Sequence, residues 1–561
     1  MRAKKLGKCI LGVIIIVLSL LASVKMMILG CNIDEEYAIT MGYRMVSGDR
    51  MFLEMWEPHQ MSAFICAFFI WIYKALFHTT DYLLLYIRGI GVLIQTILSL
   101  SLFLVFRQKF SNELSLWAAL LVFNALPKWT LVPEFSNSLL WCNLATMTVL
   151  CQYAFSMEKT GKAKKGYLIA GAVFYCGSVL CYPSAILMLP VYLIGLFWLT
   201  PKAEKKKIWI FPITCVFMGV AYVSYFLSHM SIEKLLYGIS QMMTDGKHSY
   251  TLWERMCSYG REVVDLMPYI LLVTVLPLVL SLIVHVFSKE ISVRSAFCVT
   301  AISLSCILQF VVWLGKDLYL NHPLVMFYVI FIVGFLCPGK EKALLWFGSL
   351  PSGAALLAVL VLTNTDLRIS GMQLLPGMIC TGCFLWTSAK EKAFPVRAGV
   401  IASLALVGGL FLFAKGWLIY ETGGYKADLF FVKQKALYGP AKNVYCRYSD
   451  GYPYNQLKET LEGYVRPEDA VLYVGKHSLR YLLTEGEISA FSTISTPTFD
   501  ERLWDYWDRF PEKYPTVIIV EPDQEGWEDI RVNFSLLPES LEVERIRIYF
   551  TDKYQGAEKR K

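Results

Sequence analysis

The sequence predicts an all-α polytopic membrane protein ending in a small α/β domain. Three observations carry that prediction. Of the 561 residues, 56% are hydrophobic and 17% charged, against about 45–50% and about 25% in an average soluble protein. Apolar runs long enough to cross a bilayer recur from the first residues to about residue 418. Charge is unevenly divided: residues 1–420 carry 34 Lys and Arg against 21 Asp and Glu, whereas residues 421–561 carry 19 against 24. The chain thus divides into a transmembrane domain, 1–420, and a water-exposed domain, 421–561. Disorder, coiled coil and an ordinary cytosolic enzyme are excluded. The basic excess lies in short loops, so it reports orientation in the membrane and not nucleic-acid binding.

The elements follow in order. Met1–Lys8 is basic and precedes an apolar run to Gly30. About twenty residues suffice to span, and no small-x-small cleavage site closes the run. It reads as a helix with its N-terminus in the cytoplasm. Further spans are predicted at 84–106, 113–133, 138–156, 167–183, 185–200, 208–228, 266–287, 296–315, 322–337, 343–362, 371–387 and 398–418. Six loops are basic: Arg107/Lys109, Lys159/Lys162/Lys164/Lys165, Lys202/Lys205/Lys206/Lys207, Lys289/Arg294, Lys340/Lys342 and Lys390/Lys392/Arg397. Each lies two spans after the last, so one parity puts all six in the cytoplasm. Gln60–Phe77 is apolar enough to cross, but crossing would turn all six loops outward. It is therefore expected to be an interfacial or re-entrant helix on the outer side. The result is about thirteen spans, with segments 31–83 and 229–265 and the C-terminal domain outside.

In the C-terminal domain, Ala470–Gly475, Thr516–Val520 and Ile546–Phe550 read as strands and Tyr454–Tyr464 as a helix. There is no P-loop and no GxGxxG between strand and helix. The fifteen cysteines lie mostly in apolar runs, with no metal-ligand spacing.

Polar clusters mark where chemistry could sit. Asp34, Glu35 and Glu36 crowd the mouth of the first span. A carboxylate with a raised pKa there could take a proton from an attacking hydroxyl. Equally, the trio could be the acidic first turn of a capped helix. Glu54, Glu57 and His59 could hold a divalent cation or form a polar belt. Arg88 could pair with a lipid phosphate or snorkel to headgroups. Lys128 and Glu134 flank an outer turn between Pro127 and Pro133; they could bind substrate or each other. His248 beside Asp245, and Lys316 beside Asp317 and His322, lie in outer loops, where the plainer reading is solvation.

The order of these pieces resembles the GT-C superfamily of polyprenyl-phosphate-sugar glycosyltransferases. It is similar above all to the lipid A aminoarabinose transferase and protein O-mannosyltransferase group. The resembling set runs from the basic start and first span through Asp34-Glu35, Ser47-Gly48-Asp49, Glu57-Pro58 and Leu76-Phe77 to Arg88-Gly89. It covers about residues 1–140; beyond that only the layout matches. The resemblance implies that Asp34 is the base that deprotonates the acceptor, with Glu35 its motif partner. Glu57 would match the glutamate of the family's Glu-Lys-Pro element and bind acceptor or metal, although the lysine is absent here (Glu57-Pro58-His59). His248 would be a second metal ligand. Related enzymes carry a lysine between the fifth and sixth spans to meet the donor phosphate; this chain has Cys181-Tyr182-Pro183. Arg88 or Lys316 would then supply that charge.

The expectation is an inverting glycosyltransferase of the hexosyl or pentosyl type in the plasma membrane. It would move a sugar from a polyprenyl-phosphate donor to a cell-envelope glycan, lipid or protein on the outer face. A divalent cation is the one cofactor to look for. The competing classes are a transporter or flippase of lipid-linked sugars, with charges near midplane, and a non-catalytic envelope assembly protein.

Overall fold

A computed structural model gives the architecture. It describes residues 2–243, 251–289, 291–293, 296–297, 299–301, 303–305, 307–308, 341–362, 367–388, 394–421, 424–426, 434–494, 501–524 and 526–555. The helices in order are α1 (Arg2–Ile28), α2 (Ile33–Ser47), α3 (Ala63–Phe77), α4 (Leu83–Phe106), α5 (Asn112–Asn124), α6 (Phe135–Thr160), α7 (Lys165–Cys181), α8 (Leu189–Leu199), α9 (Ile210–Leu227), α10 (Ile232–Met243) and α11 (Leu252–Phe287). Helices Leu350–Leu362, Leu375–Ser388 and Phe394–Trp417 follow among the described residues. Among the described residues seven helical segments are long and apolar enough to cross a membrane: Ile10–Ile28, Gln60–Phe77, Leu83–Phe106, Lys202–Leu227, Trp253–Phe287, Lys342–Leu360 and Arg397–Trp417. Lys165–Cys181 and Pro183–Leu199 are shorter apolar helices. The outward faces are greasy: Leu93, Ile97 and Leu100 on α4, Ile213, Val216 and Phe217 on α9, and Leu278, Leu282 and Phe287 on α11. A water-soluble protein rarely leaves such a belt bare. At the centre α6 is buried on nearly every side, its Ser, Asn and Thr side chains included.

Most predicted spans coincide with helices. The span 322–337 and part of 296–315 lie outside the described residues. The span 113–133 is corrected: α5 ends at Asn124, and Ala125 is extended. Pro127 and Pro133 deny the backbone two donors and disfavour helix before them. Residues 125–134 instead form an irregular loop in which every residue but Lys128 is buried. Its backbone is satisfied from neighbouring elements. Asn137 on α6 donates to the Thr130 and Val132 carbonyls, both at 2.9 Å. Gln95 on α4 donates to Ala125 O at 3.3 Å. Irregular backbone at this depth is tolerable because protein encloses it.

The first long loop is built of α2, a turn region 48–62, and α3. Asn32 caps α2 by accepting from Asp34 N at 2.9 Å. Gly48, at φ 114°, ends it in the left-handed region. At Gly42 the α2 backbone comes so close to α3 that an added Cβ would lie 2.9 Å from Ala67 N.

The C-terminal domain holds short hairpins β1–β2 (Ile419–Glu421, Gly424–Lys426) and β3–β4 (Gln434–Lys435, Tyr445–Cys446), and a five-stranded sheet. Its strands are β5 (Ala470–Val474), β6 (Glu487–Ile488), β7 (Val517–Val520), β8 (Leu536–Val543) and β9 (Ile546–Thr551), ordered β6-β5-β7-β9-β8. β5 pairs parallel with β6 and β7, and β9 runs antiparallel between β7 and β8. β5 and β7 are wholly buried, which explains their unbroken apolar runs. The predicted strands are present, and the predicted helix Tyr454–Tyr464 lies within the helix Tyr448–Tyr464.

This domain does not float. Polar contacts sew it to the first long loop, among them the following. His477 Nδ1 bonds Glu36 at 2.9 Å, and Leu479 N donates to Glu36 at 3.2 Å. Thr493 N and Ser492 Oγ donate to Glu57, both at 2.7 Å. Lys513 pairs with Asp49 at 2.9 Å and Lys442 with Asp81 at 2.7 Å.

Candidate active site

The N-cap of α2 fixes where the three carboxylates point. Successive helical residues are about 100° apart, so the three leave the first turn in different directions. Asp34 reaches the exposed member of the buried loop: its carboxylate lies 3.1 Å from Lys128 Nζ, with the side chains 30% and 17% exposed. The Lys128 ammonium also sits 4.0 Å from the centre of the Phe135 ring, in cation–π range. His59 stacks on Phe135 at 3.8 Å and 6° between planes. Tyr182 meets both rings edge-on, at 5.6 Å from His59 and 5.9 Å from Phe135. The result is a column, Asp34–Lys128–Phe135–His59, drawn from four separate stretches of chain. Trp129, next to Lys128, has φ 55°, a conformation bulky residues seldom adopt and one common where a site demands it.

Glu134 lies beneath. It caps α6, accepting from Asn137 N at 2.6 Å and Ser136 N at 2.7 Å. Burial pushes its carboxyl up to about 7; Lys128 opposes the shift and Asp34 adds to it. Glu134 is thus a carboxyl able to hold or give a proton near neutrality. Burial, helped by Lys128, holds the His59 imidazole well below its usual range, so His59 serves as a neutral ring.

Glu35 and Arg88 are placed differently from the sequence expectation. They form a buried ion pair. Arg88 also donates to the carbonyls of Met27 and Gly30, each at 2.8 Å. A guanidinium with this many fixed bonds and a 3% exposed side chain is not presented to a lipid phosphate or to headgroups. Glu35 accepts from Leu131 N at 3.3 Å, so the pair pins the Lys128 loop against α2. Its geometry is that of a positioning device, not of a second base.

Glu57 is fully buried, bonded by Ser492 and Thr493 and 3.3 Å from Arg44 Nη1. Both its oxygens are taken, so it does not fit a metal ligand, and His59 faces away into the aromatic column. Among the described residues no group of three His, Cys, Asp or Glu side chains is disposed to hold a metal ion. His248 and Lys316 lie outside the described residues. Sequence reasoning missed Phe135, Tyr182 and Ser136 as site neighbours; the one available signal was the Tyr182-Pro183 turn, read only as a missing lysine.

The arrangement combines a carboxylate, an ammonium group and an aromatic wall. The fold is GT-C-like. No protein-family model and no curated protein matches the chain. Among solved structures it is similar to ArnT from Cupriavidus metallidurans in the apo state, with 12% identity, a TM-score of 0.52, and coverage of 97% of this chain and 98% of that one. It also matches ArnT from the same organism bound to undecaprenyl phosphate, with 14% identity, a TM-score of 0.44 and coverage of 98% and 99%. A third match is the oligosaccharyltransferase of Archaeoglobus fulgidus in complex with Zn and sulfate, with 11% identity, a TM-score of 0.46 and coverage of 90% and 68%.

Proposed function

We propose that this protein is a membrane glycosyltransferase that takes a sugar from a polyprenyl-phosphate donor. It delivers the sugar to a hydroxyl or amine of a cell-envelope acceptor on the outer face of the plasma membrane. The observation that carries the reading is the Asp34 carboxylate 3.1 Å from the Lys128 ammonium within a GT-C-like fold. The long-chain lipid keeps its tail in the bilayer, so the reacting phosphate must sit at the membrane–water boundary.

Asp34 removes the proton from the acceptor as its oxygen or nitrogen attacks the anomeric carbon. The bond from that carbon to the phosphate oxygen breaks, and the polyprenyl phosphate leaves as an anion. A leaving group already anionic needs a cation more than a proton, and Lys128 is a part-exposed cation beside Asp34. One displacement inverts the anomeric centre. Glu134 lies close enough to tune the pair electrostatically.

The test is polyprenyl phosphate release from a panel of polyprenyl-phosphate sugars by the purified protein in lipid. Asp34→Asn is expected to cut release by about 10²–10⁴-fold with thermal stability unchanged. Unchanged release in a folded Asp34→Asn protein would overturn the assignment.

A further inference from the structure

The acid and the cation of the site neutralise each other. Asp34 cannot readily accept an acceptor proton while its carboxylate is bonded to Lys128 at 3.1 Å. Lys128 cannot hold a phosphate while it serves Asp34. Yet neither group is sealed in: their side chains are 30% and 17% exposed. That distinguishes them from the neighbouring Glu35–Arg88 pair, both at 3% exposure. The long lysine stem rises from a loop whose other residues are all buried. Phe135 supports the ammonium from one side at 4.0 Å. That ring is itself locked by His59 stacked at 3.8 Å. A cation held by a ring face on one side and a single carboxylate on the other can change anions without losing its seat.

Resting on the function proposed above, we infer that Lys128 exchanges partners, from Asp34 to the phosphate of the incoming polyprenyl-phosphate sugar. Arrival of the lipid frees the base, so the lipid must bind before the acceptor can react. The donor's phosphodiester matches a carboxylate in charge and free oxygens and is held at the membrane boundary by its lipid tail, so it can take the ammonium from Asp34; the departing polyprenyl phosphate, a dianion with three free oxygens, holds it more strongly. The same exchange runs backwards on product release and restores the resting pair.

This makes a prediction that simple charge repulsion does not. Binding of a polyprenyl monophosphate in nanodiscs is measured for wild type, Asp34→Asn, Lys128→Met and the double variant, with melting temperatures confirming that each is folded. Exchange requires Asp34→Asn to bind the lipid more tightly than wild type, about fivefold, the worth of a part-exposed ion pair. Lys128→Met binds more weakly, and in its background Asp34→Asn brings no gain. Lys128→Arg, which keeps the charge, restores most of the affinity and covers the case in which Lys128→Met fails to fold. If the gain from Asp34→Asn persists without Lys128, Asp34 merely repels phosphate and the exchange is wrong. If Asp34→Asn brings no gain in the Lys128 protein, the exchange is wrong while the transferase reading stands. If wild type does not bind the lipid at all, the transferase reading fails and the exchange with it.

Discussion

At the scale of single residues, the first turn of α2 assigns three neighbouring carboxylates to three tasks. Asp34 meets Lys128, Glu35 meets Arg88, and Glu36 meets His477. Removing one member of the buried Glu35–Arg88 pair leaves an uncompensated charge. Arg88→Met is expected to cost about 3–5 kcal/mol, and the double change Glu35→Leu/Arg88→Met much less, read as thermal unfolding in detergent. Burial opposes charging of His477, but the Glu36 carboxylate outweighs it and lifts the imidazole above its usual range. With the folded value above the unfolded one, the pair stabilises fully below about pH 6.5 and fades as pH rises through the folded value. Melting temperature should therefore fall across that window, and His477→Asn should flatten the fall. The acidic cluster was legible in the sequence. The partners were not, because each lies tens to hundreds of residues away and only packing brings it near.

At the scale of elements, the site depends on a helix that stops early. The apolar run 113–133 satisfies every composition test for a span, yet α5 ends at Asn124 and the remainder is a buried loop. The two prolines were visible; that neighbouring helices would satisfy the loop's backbone was not. Gly91 on α4 is where this loop touches down: a Cβ there would collide with the Leu131 carbonyl. Gly91→Ala is expected to destabilise by about 1–3 kcal/mol, the usual cost of overpacking. It should also lower polyprenyl phosphate affinity by displacing Lys128, three residues from Leu131, and both effects are measurable on one preparation. Gln60–Phe77 remains the element on which the span count turns. Phe68, Trp71, Leu76 and Phe77 are more than half exposed, while Cys66 and Ile70 are fully buried, a two-faced helix suited to an interface. Ser47→Cys and Thr79→Cys flank it on exposed positions. A membrane-impermeant thiol reagent should label both from the same, outer side; labelling from opposite sides would make the segment a crossing helix.

At the scale of the whole molecule, the C-terminal domain acts as a wall of the first long loop. Glu36 and Glu57, at 2% and 0% exposure, draw hydrogen bonds from His477, Leu479, Ser492 and Thr493. Deleting residues 421–561 would strand both carboxylates and strip Trp56 of its ring partners Phe491 and Tyr506. Limited proteolysis of such a truncation should cut within 31–83, where the full chain resists.

Composition and periodicity by themselves determined the membrane class, most helices, the α/β character of the C-terminal domain and the acidic turn that opens α2. These are local properties: a run of apolar side chains must leave water wherever it lies, and a capped acidic turn forms from adjacent residues. Only the tertiary structure decided that Lys128 and not Arg88 faces Asp34, that Glu57 anchors a distant domain instead of a metal, and that Phe135 and His59 back the lysine. Those outcomes depend on which charged groups are buried together, and burial is a property of the packed chain that no window of sequence contains.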